Sequence, residues 1–133
     1  MVNKKFSIVV TVLIGFLVCS TAYSQTETIN SVRLAIKAGD SNSLVKFFDS
    51  VVELKTDSEE GAYSKNQAEF VLKNFFKKHT PVNFTYNHEG SSPGGAKYTI
   101  GTYQCESASF RVYMKLKSSG NTYVIDTLDF SKE

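Results

Sequence analysis

Residues 64–90, SKNQAEFVLKNFFKKHTPVNFTYNHEG, decide the fold. Ser64 can offer its hydroxyl oxygen to an orphan N–H of a first helical turn, and Gln67, three residues on, can reach back to the serine N–H. The pair predicts a capping box. Ala68, Phe70, Val71, Leu72, Phe75 and Phe76 recur at helical spacing, whereas Lys65, Asn66, Glu69, Lys73, Asn74 and Lys77 share the wet side. Lys77, Lys78 and His79 place positive charge at the negative end of the helix dipole, and Pro81 biases Thr80 out of the α region, so the helix should end near His79. VNFTYNHE then alternates with period two, which predicts a strand with Val82, Phe84, Tyr86 and His88 as its inward row. Helix and strand are the first two layers of one core.

Working back from this stretch, TETINSVRLAIKA (26–38) reads as a helix with Ile29, Val32 and Ile36 in its apolar row and Gly39 as its stop. Asp40 or Ser41 caps a second short helix carrying Leu44, Val45, Phe47 and Phe48. SVVELKT (50–56) is a short strand with Val52, Leu54 and Thr56 on one side, and DSEEG (57–61) is the loop after it. The acids of that loop do not have the spacing of an EF-hand.

Working forward, GSSPGGAK (90–97) is the strongest breaker cluster and joins strand 82–89 to strand 97–104 as a hairpin loop. Its glycines lack the lysine–serine pair and the following helix of a phosphate cradle. Gly101, inside the second strand, marks a bulge or a bend that curls the sheet. SASFRVYMKLK (107–117) puts Phe110, Val112, Met114 and Leu116 on one face and Arg111, Tyr113, Lys115 and Lys117 on the other; a turn at 118–121 leads into the closing strand TYVIDTLDF (122–130).

Residues 1–24 read as a signal peptide: Lys4 and Lys5, the apolar run from Phe6 to Val18, and Ala22-Tyr23-Ser24 before Gln25. The run is short for a membrane span. Export, periplasmic or secreted, is therefore expected. Lipidation at Cys19 is disfavoured, because Phe16-Leu17-Val18 lacks the small residue usual before a lipidated cysteine. The remaining 25–133 forms one domain. Of 15 basic and 13 acidic residues, the two lysines leave with the signal, so the mature domain is neutral and lacks the basic field that nucleic acid or an anionic membrane would require. It keeps one cysteine, Cys105, which excludes an internal disulfide and reads as an inert small hydrophobe beside Tyr103 and Phe110.

The order of elements, two short helices, a short strand, a long helix, then four antiparallel strands, resembles the nuclear-transport-factor-2-like superfamily, also called cystatin-like or ketosteroid-isomerase-like. More narrowly, Tyr63-Ser64-Lys65, Gln67-Ala68-Glu69, Phe75-Phe76, His88-Glu89-Gly90-Ser91, Tyr98-Thr99-Ile100-Gly101 and Phe110-Arg111-Val112-Tyr113 resemble the Bacteroidota exported family catalogued as domain-of-unknown-function family 4783. The resemblance implies an α+β, cone-shaped fold in which a curved antiparallel sheet wraps the long helix and leaves a pocket at the open end. It implies no activity, since the superfamily spans isomerases, dehydratases, binding modules and assembly domains.

Within such a cone, Tyr86, His88, Tyr98 and Asp126 are the candidate pocket residues. His88 closes the inward row of its strand. Asp126 lies inside if Val124, Leu128 and Phe130 are the buried row, but outside if Tyr123 and Ile125 point inward and a bulge shifts the register before Leu128. The isomerase or dehydratase alternative needs a carboxylate or histidine base with aligned donors, and the chain supplies few such groups and no nucleophile motif, zinc spacing or nucleotide loop. The reading preferred is a non-catalytic binding module, without cofactor or metal, for a small apolar or amphipathic ligand. The other alternative is an assembly domain, a homodimer among its forms, that uses Tyr103, Arg111, Tyr113 and Lys115 on the outer sheet face.

Overall fold

The structure, a computed structural model, describes residues 25–133; the expected signal segment and Cys19 lie outside them. The elements are α1 (Gln25–Ala38), α2 (Ser41–Val45), β1 (Phe48–Lys55), β2 (Glu60–Ser64), α3 (Lys65–Lys78), β3 (Asn83–Ser91), β4 (Lys97–Gln104), β5 (Ser109–Ser119) and β6 (Thr122–Lys132). The six strands form one sheet in the order β2-β1-β6-β5-β4-β3. All neighbours are antiparallel except β1 and β6, which run parallel. Among the described residues no helix is long and apolar enough to cross a membrane.

The capping box forms at the head of α3: the Gln67 N–H donates to Ser64 Oγ at 3.3 Å, and the Ser64 N–H donates to Gln67 Oε1 at 3.0 Å. Ala68, Leu72, Phe75 and Phe76 are buried against the sheet. Phe70, expected on that apolar face, is 68 % exposed; the buried stripe is narrower than the apolar side of the helix. At the other end Asp40 caps α2, accepting from the Ser43 N–H at 3.0 Å. Phe48, read from the sequence as helical, opens β1, because α2 ends at Val45 and its two following residues turn.

Two differences bear on the sheet. Residues 60–64, of which the sequence reading gave 60–61 to a loop and Ser64 to a helix cap, form β2, an edge strand whose Tyr63 pairs with Val52 and faces the core. Tyr103, placed by the sequence reading on the outer face, is fully buried: it pairs with Phe110 and so shares the inner face of β5. Its neighbours on that face of β4, Thr99 and Gly101, give no hydrophobic signal of their own, which is why the alternation there is hard to read. The interior is filled by Phe75 with Tyr103, Phe110 and Phe130, whose ring centroids lie 5.5, 5.2 and 4.6 Å from it.

Two bulges reset the faces. Opposite Gly101 and Ile100, β3 carries one extra residue between Tyr86 and His88. Opposite Lys115 and Leu116, β6 carries one extra residue, Asp126. Each adds a single residue to a period-two pattern, so everything beyond it changes side.

Candidate functional site

The bulge in β3 overturns the pocket reading of His88. Pairing with Ile100 places it on the outer face, exposed, where its Nε2 lies 3.2 Å from the Tyr98 hydroxyl. Tyr98 is on that face too, outside the cone. Its ring covers Gly90, where an added Cβ would lie 2.4 Å from the ring, and stacks on Tyr113 at a centroid distance of 6.4 Å. Asp126 follows the second of its two registers: Ile125, Leu128 and Phe130 are buried, while the bulged carboxylate stays outside the core with Oδ2 3.5 Å from Lys115 Nζ and Oδ1 accepting from Thr127 Oγ1 at 3.1 Å. Tyr86 alone of the four points inward as expected. Its hydroxyl donates to the Ile29 carbonyl at 2.9 Å, a strut from β3 to α1, and burial pushes its pKa upward. Arg111, Tyr113 and Lys115 share the outer face with His88 and Tyr98.

With aromatic side chains filling the middle of the cone, open space remains at its ends. One cleft, of about 420 Å³, lies where the first turns of α1 meet the α2–β1 connection and the start of β6. Phe47, Tyr123 and Val124 supply its apolar wall; Thr28, Ser31 and Lys46 bring polar groups to its rim. These positions follow from two local facts: the short α2 throws Phe47 onto the turn before β1, and the β6 bulge turns Tyr123 to the inner side.

At the opposite end of β5, a second cavity of about 330 Å³ borders the end of α3 and the β4–β5 loop, with Lys78, His79, Pro81, Cys105, Glu106 and Ser107 around it. Sequence reasoning missed what gathers here. His79 caps α3, its N–H donating to the Phe75 carbonyl at 2.8 Å, and its own carbonyl accepts the Tyr103 hydroxyl. Its ring packs against Phe75 and Phe110, with centroids 5.2 and 4.9 Å away, and its side chain is only 9 % exposed. Nε2 lies 2.7 Å from Asp57 Oδ2, which also accepts from Lys78 Nζ at 3.0 Å. Nδ1 faces Cys105 Sγ at 3.9 Å. Burial alone would raise the Asp57 carboxyl, but the hydrogen bonds from His79 and Lys78 outweigh it and hold its pKa below the ordinary carboxylate value. The three residues come from the β1–β2 loop, a helix end and a hairpin loop, so no spacing in the chain announces them. The one local hint is the histidine before Pro81, at a helix end that has to be buried. Among the described residues no group of three or more His, Cys, Asp or Glu is arranged to hold a metal ion.

The profile of the family described as "Domain of unknown function (DUF4783)" matches residues 29–131. A solved structure of a member of that family from Bacteroides uniformis superposes with a TM-score of 0.72 at 28% identity, covering 78% of this chain and 95% of that one. An uncharacterised cystatin-fold protein from Novosphingobium aromaticivorans superposes with a TM-score of 0.62 at 14% identity, over 81% of this chain and 97% of that one. An NTF-2-like protein of unknown function from Silicibacter pomeroyi gives 0.59 at 11% identity, over 81% and 92%. No curated protein matches. The α+β cone with its curved sheet is therefore shared with NTF2-like and cystatin-fold proteins.

Proposed function

Since the chain belongs to the DUF4783 family, whose description carries no activity, we propose a function from the site: a non-catalytic module that binds a small amphipathic ligand in the cleft between α1 and the start of β6. The observation that carries this reading is the cleft itself. About 420 Å³ falls within the range of ~300–1,000 Å³ usual for small-molecule sites, and an aromatic and aliphatic wall with a few polar groups at the rim is their usual chemistry. Isomerase-type catalysis has less support, because His88 and Asp126, the acid–base types it would draw on, flank the outer face.

A thermal-shift screen of small amphipathic compounds on the full chain tests the proposal. Binding stabilises by about 2.7 kcal/mol at a hundred times Kd, so a dose-dependent rise in Tm is expected. Ser31→Trp, a change at an exposed position on the rim, should abolish it, and His88→Ala should keep it. A rise that Ser31→Trp leaves intact would put the ligand elsewhere, and the absence of any stabilising compound would count against the module.

One observation favours a second reading, assembly through the outer face: His88, Tyr98 and Tyr113 form a continuous ring cluster there, with the Tyr98–Tyr113 planes 25° apart, next to Arg111 and Lys115. Tyrosine and arginine are the residues interfaces favour. If this face pairs with a second copy, light scattering should show dimers forming with concentration, and Tyr113→Ala should shift the midpoint at least tenfold. A monomer at every concentration removes this reading.

A further inference from the structure

We propose that Cys105 is a base-assisted nucleophilic thiol, with His79 as its proton acceptor and Asp57 as the residue that positions His79, and that it takes a small polar disulfide into the cavity beside it to form a mixed disulfide. This goes beyond ligand binding at the α1–β6 cleft and concerns the other end of the cone.

Asp57 is acceptor-only when ionised, so the short Nε2···Oδ2 contact of 2.7 Å requires the proton on Nε2. In the neutral imidazole Nδ1 then turns its lone pair to the thiol, 3.9 Å away. The aromatic packing of Phe75 and Phe110 on the ring and the tethering of the His79 backbone at both its N–H and its carbonyl keep that lone pair aimed. A nucleophile next to a base, and a base oriented by a third group, is the arrangement that activates thiols. The spacing at the thiol is long for a hydrogen bond, as such contacts often are before substrate arrives. Cys105 Sγ donates its one proton to the Ala108 carbonyl at 3.2 Å, within its own loop, so the S–H must turn from that carbonyl toward Nδ1 for the transfer. Cys105 is half-buried, and the cavity of about 330 Å³ in front of it has a mixed lining, with Pro81 and Val82 beside Lys78, Thr80, Glu106 and Ser107, in which Lys78 and Glu106 can pair with a charged substituent.

The exchange balances as follows. The thiol proton moves to His79 Nδ1 as Sγ attacks one sulfur of R–S–S–R; a bond from Sγ to that sulfur forms, the original S–S bond breaks, and R–S⁻ leaves with the electron pair. The imidazolium returns its proton to the departing thiolate, giving R–SH. Cys105 is oxidised and one half of the small disulfide is reduced. Cys105 is the free cysteine among the described residues, so no neighbouring thiol there resolves the product, and it should persist until a reductant arrives.

The test uses the full chain carrying Cys19→Ser, which removes the other thiol. The rate of reaction with 5,5′-dithiobis(2-nitrobenzoate) is measured from pH 5 to 9 for the native protein and for the same protein in denaturant. An unassisted thiol loses about tenfold in rate per pH unit below its ordinary pKa of about 8.5. The native protein should fall off less steeply and react at least tenfold faster than the denatured one at pH 6. Asp57→Asn should steepen the profile toward the denatured one while its near-UV circular dichroism stays native, and a folded variant with an unchanged profile removes Asp57 from the positioning role. The charged groups facing the ring, Asp57 and Lys78, and Glu106 at the cavity are held constant in all other arms. Oxidised glutathione should give a single adduct by intact mass, reversed by dithiothreitol and absent in Cys105→Ser. A native profile no shallower and no faster than the denatured one overturns the proposal even if Asp57→Asn fails to fold. Failure of oxidised glutathione to form the adduct overturns the polar-disulfide assignment.

Discussion

Phe75→Ala is expected to lower the unfolding free energy by about 3–5 kcal/mol, the usual range for deleting a buried phenylalanine ring. For a small domain whose whole stability is of order 5–15 kcal/mol, that is a large fraction. The ring is 3 % exposed and meets five others: Phe76, His79, Tyr103, Phe110 and Phe130. Its surroundings are drawn from both a helix and three strands, so they have little freedom to collapse into the gap. Phe70→Ala on the same helix removes the same atoms from a side chain that is 68 % exposed, and should cost less than about 0.5 kcal/mol. Urea denaturation of the two variants side by side checks the orientation of α3. Equal losses would mean that the helix is rotated relative to the sheet.

Gly101→Val should be nearly as damaging, for the opposite reason. A Cβ at this position would sit 2.6 Å from the Thr85 carbonyl oxygen and 3.1 Å from the Phe84 ring. The first of these is backbone of the paired strand, so relief requires moving β3 away from β4 rather than turning a side chain. Overpacking of this kind costs about 1–3 kcal/mol where only side chains must yield, and the loss here should reach or exceed the top of that range. Gly90 gives the control: its added Cβ meets only the outer end of Tyr98, so Gly90→Ala should cost clearly less. A melting temperature for Gly101→Val within a degree of the unaltered protein would contradict the close strand approach.

The central helix and the strands after it were legible because their signals are local. Ser64 and Gln67 sit three apart, Pro81 ends what His79 caps, and Phe110, Val112, Met114 and Leu116 alternate without interruption. That order of elements carried the resemblance that implied the NTF2-like cone. What was not legible depends on single insertions and on distant partners. His88 was assigned inward by counting from Phe84, and one bulged residue between Tyr86 and His88 reversed it. Asp126 was undecided for the same reason, since both registers of β6 bury apolar groups until the pairing with β5 chooses one. β2 escaped notice because Glu60-Gly61-Ala62-Tyr63-Ser64 has one residue of high strand propensity; it is a strand by virtue of pairing with β1. Cys105 read as an inert small residue next to Tyr103 and Phe110, and nothing in the chain near it indicates a histidine 26 positions earlier and a carboxylate 22 positions before that.

The parallel pairing of β1 with β6 carries a consequence for the order in which the molecule can be assembled. During synthesis, β6 is the last of the six strands to emerge, yet it occupies the middle of the sheet, between β1 and β5. A nascent chain that has reached Ser119 has α1 to α3 and five of the six described strands, but the strands can form only two fragments, β2–β1 on one side and β5–β4–β3 on the other. Each ends in an unsatisfied edge that carries core residues, Val52 and Leu54 on one and Val112 and Met114 on the other. Such edges invite pairing with another chain. Folding therefore waits on contacts of high sequence separation, and it should be slow for a domain of this size and sensitive to protein concentration until β6 closes the gap.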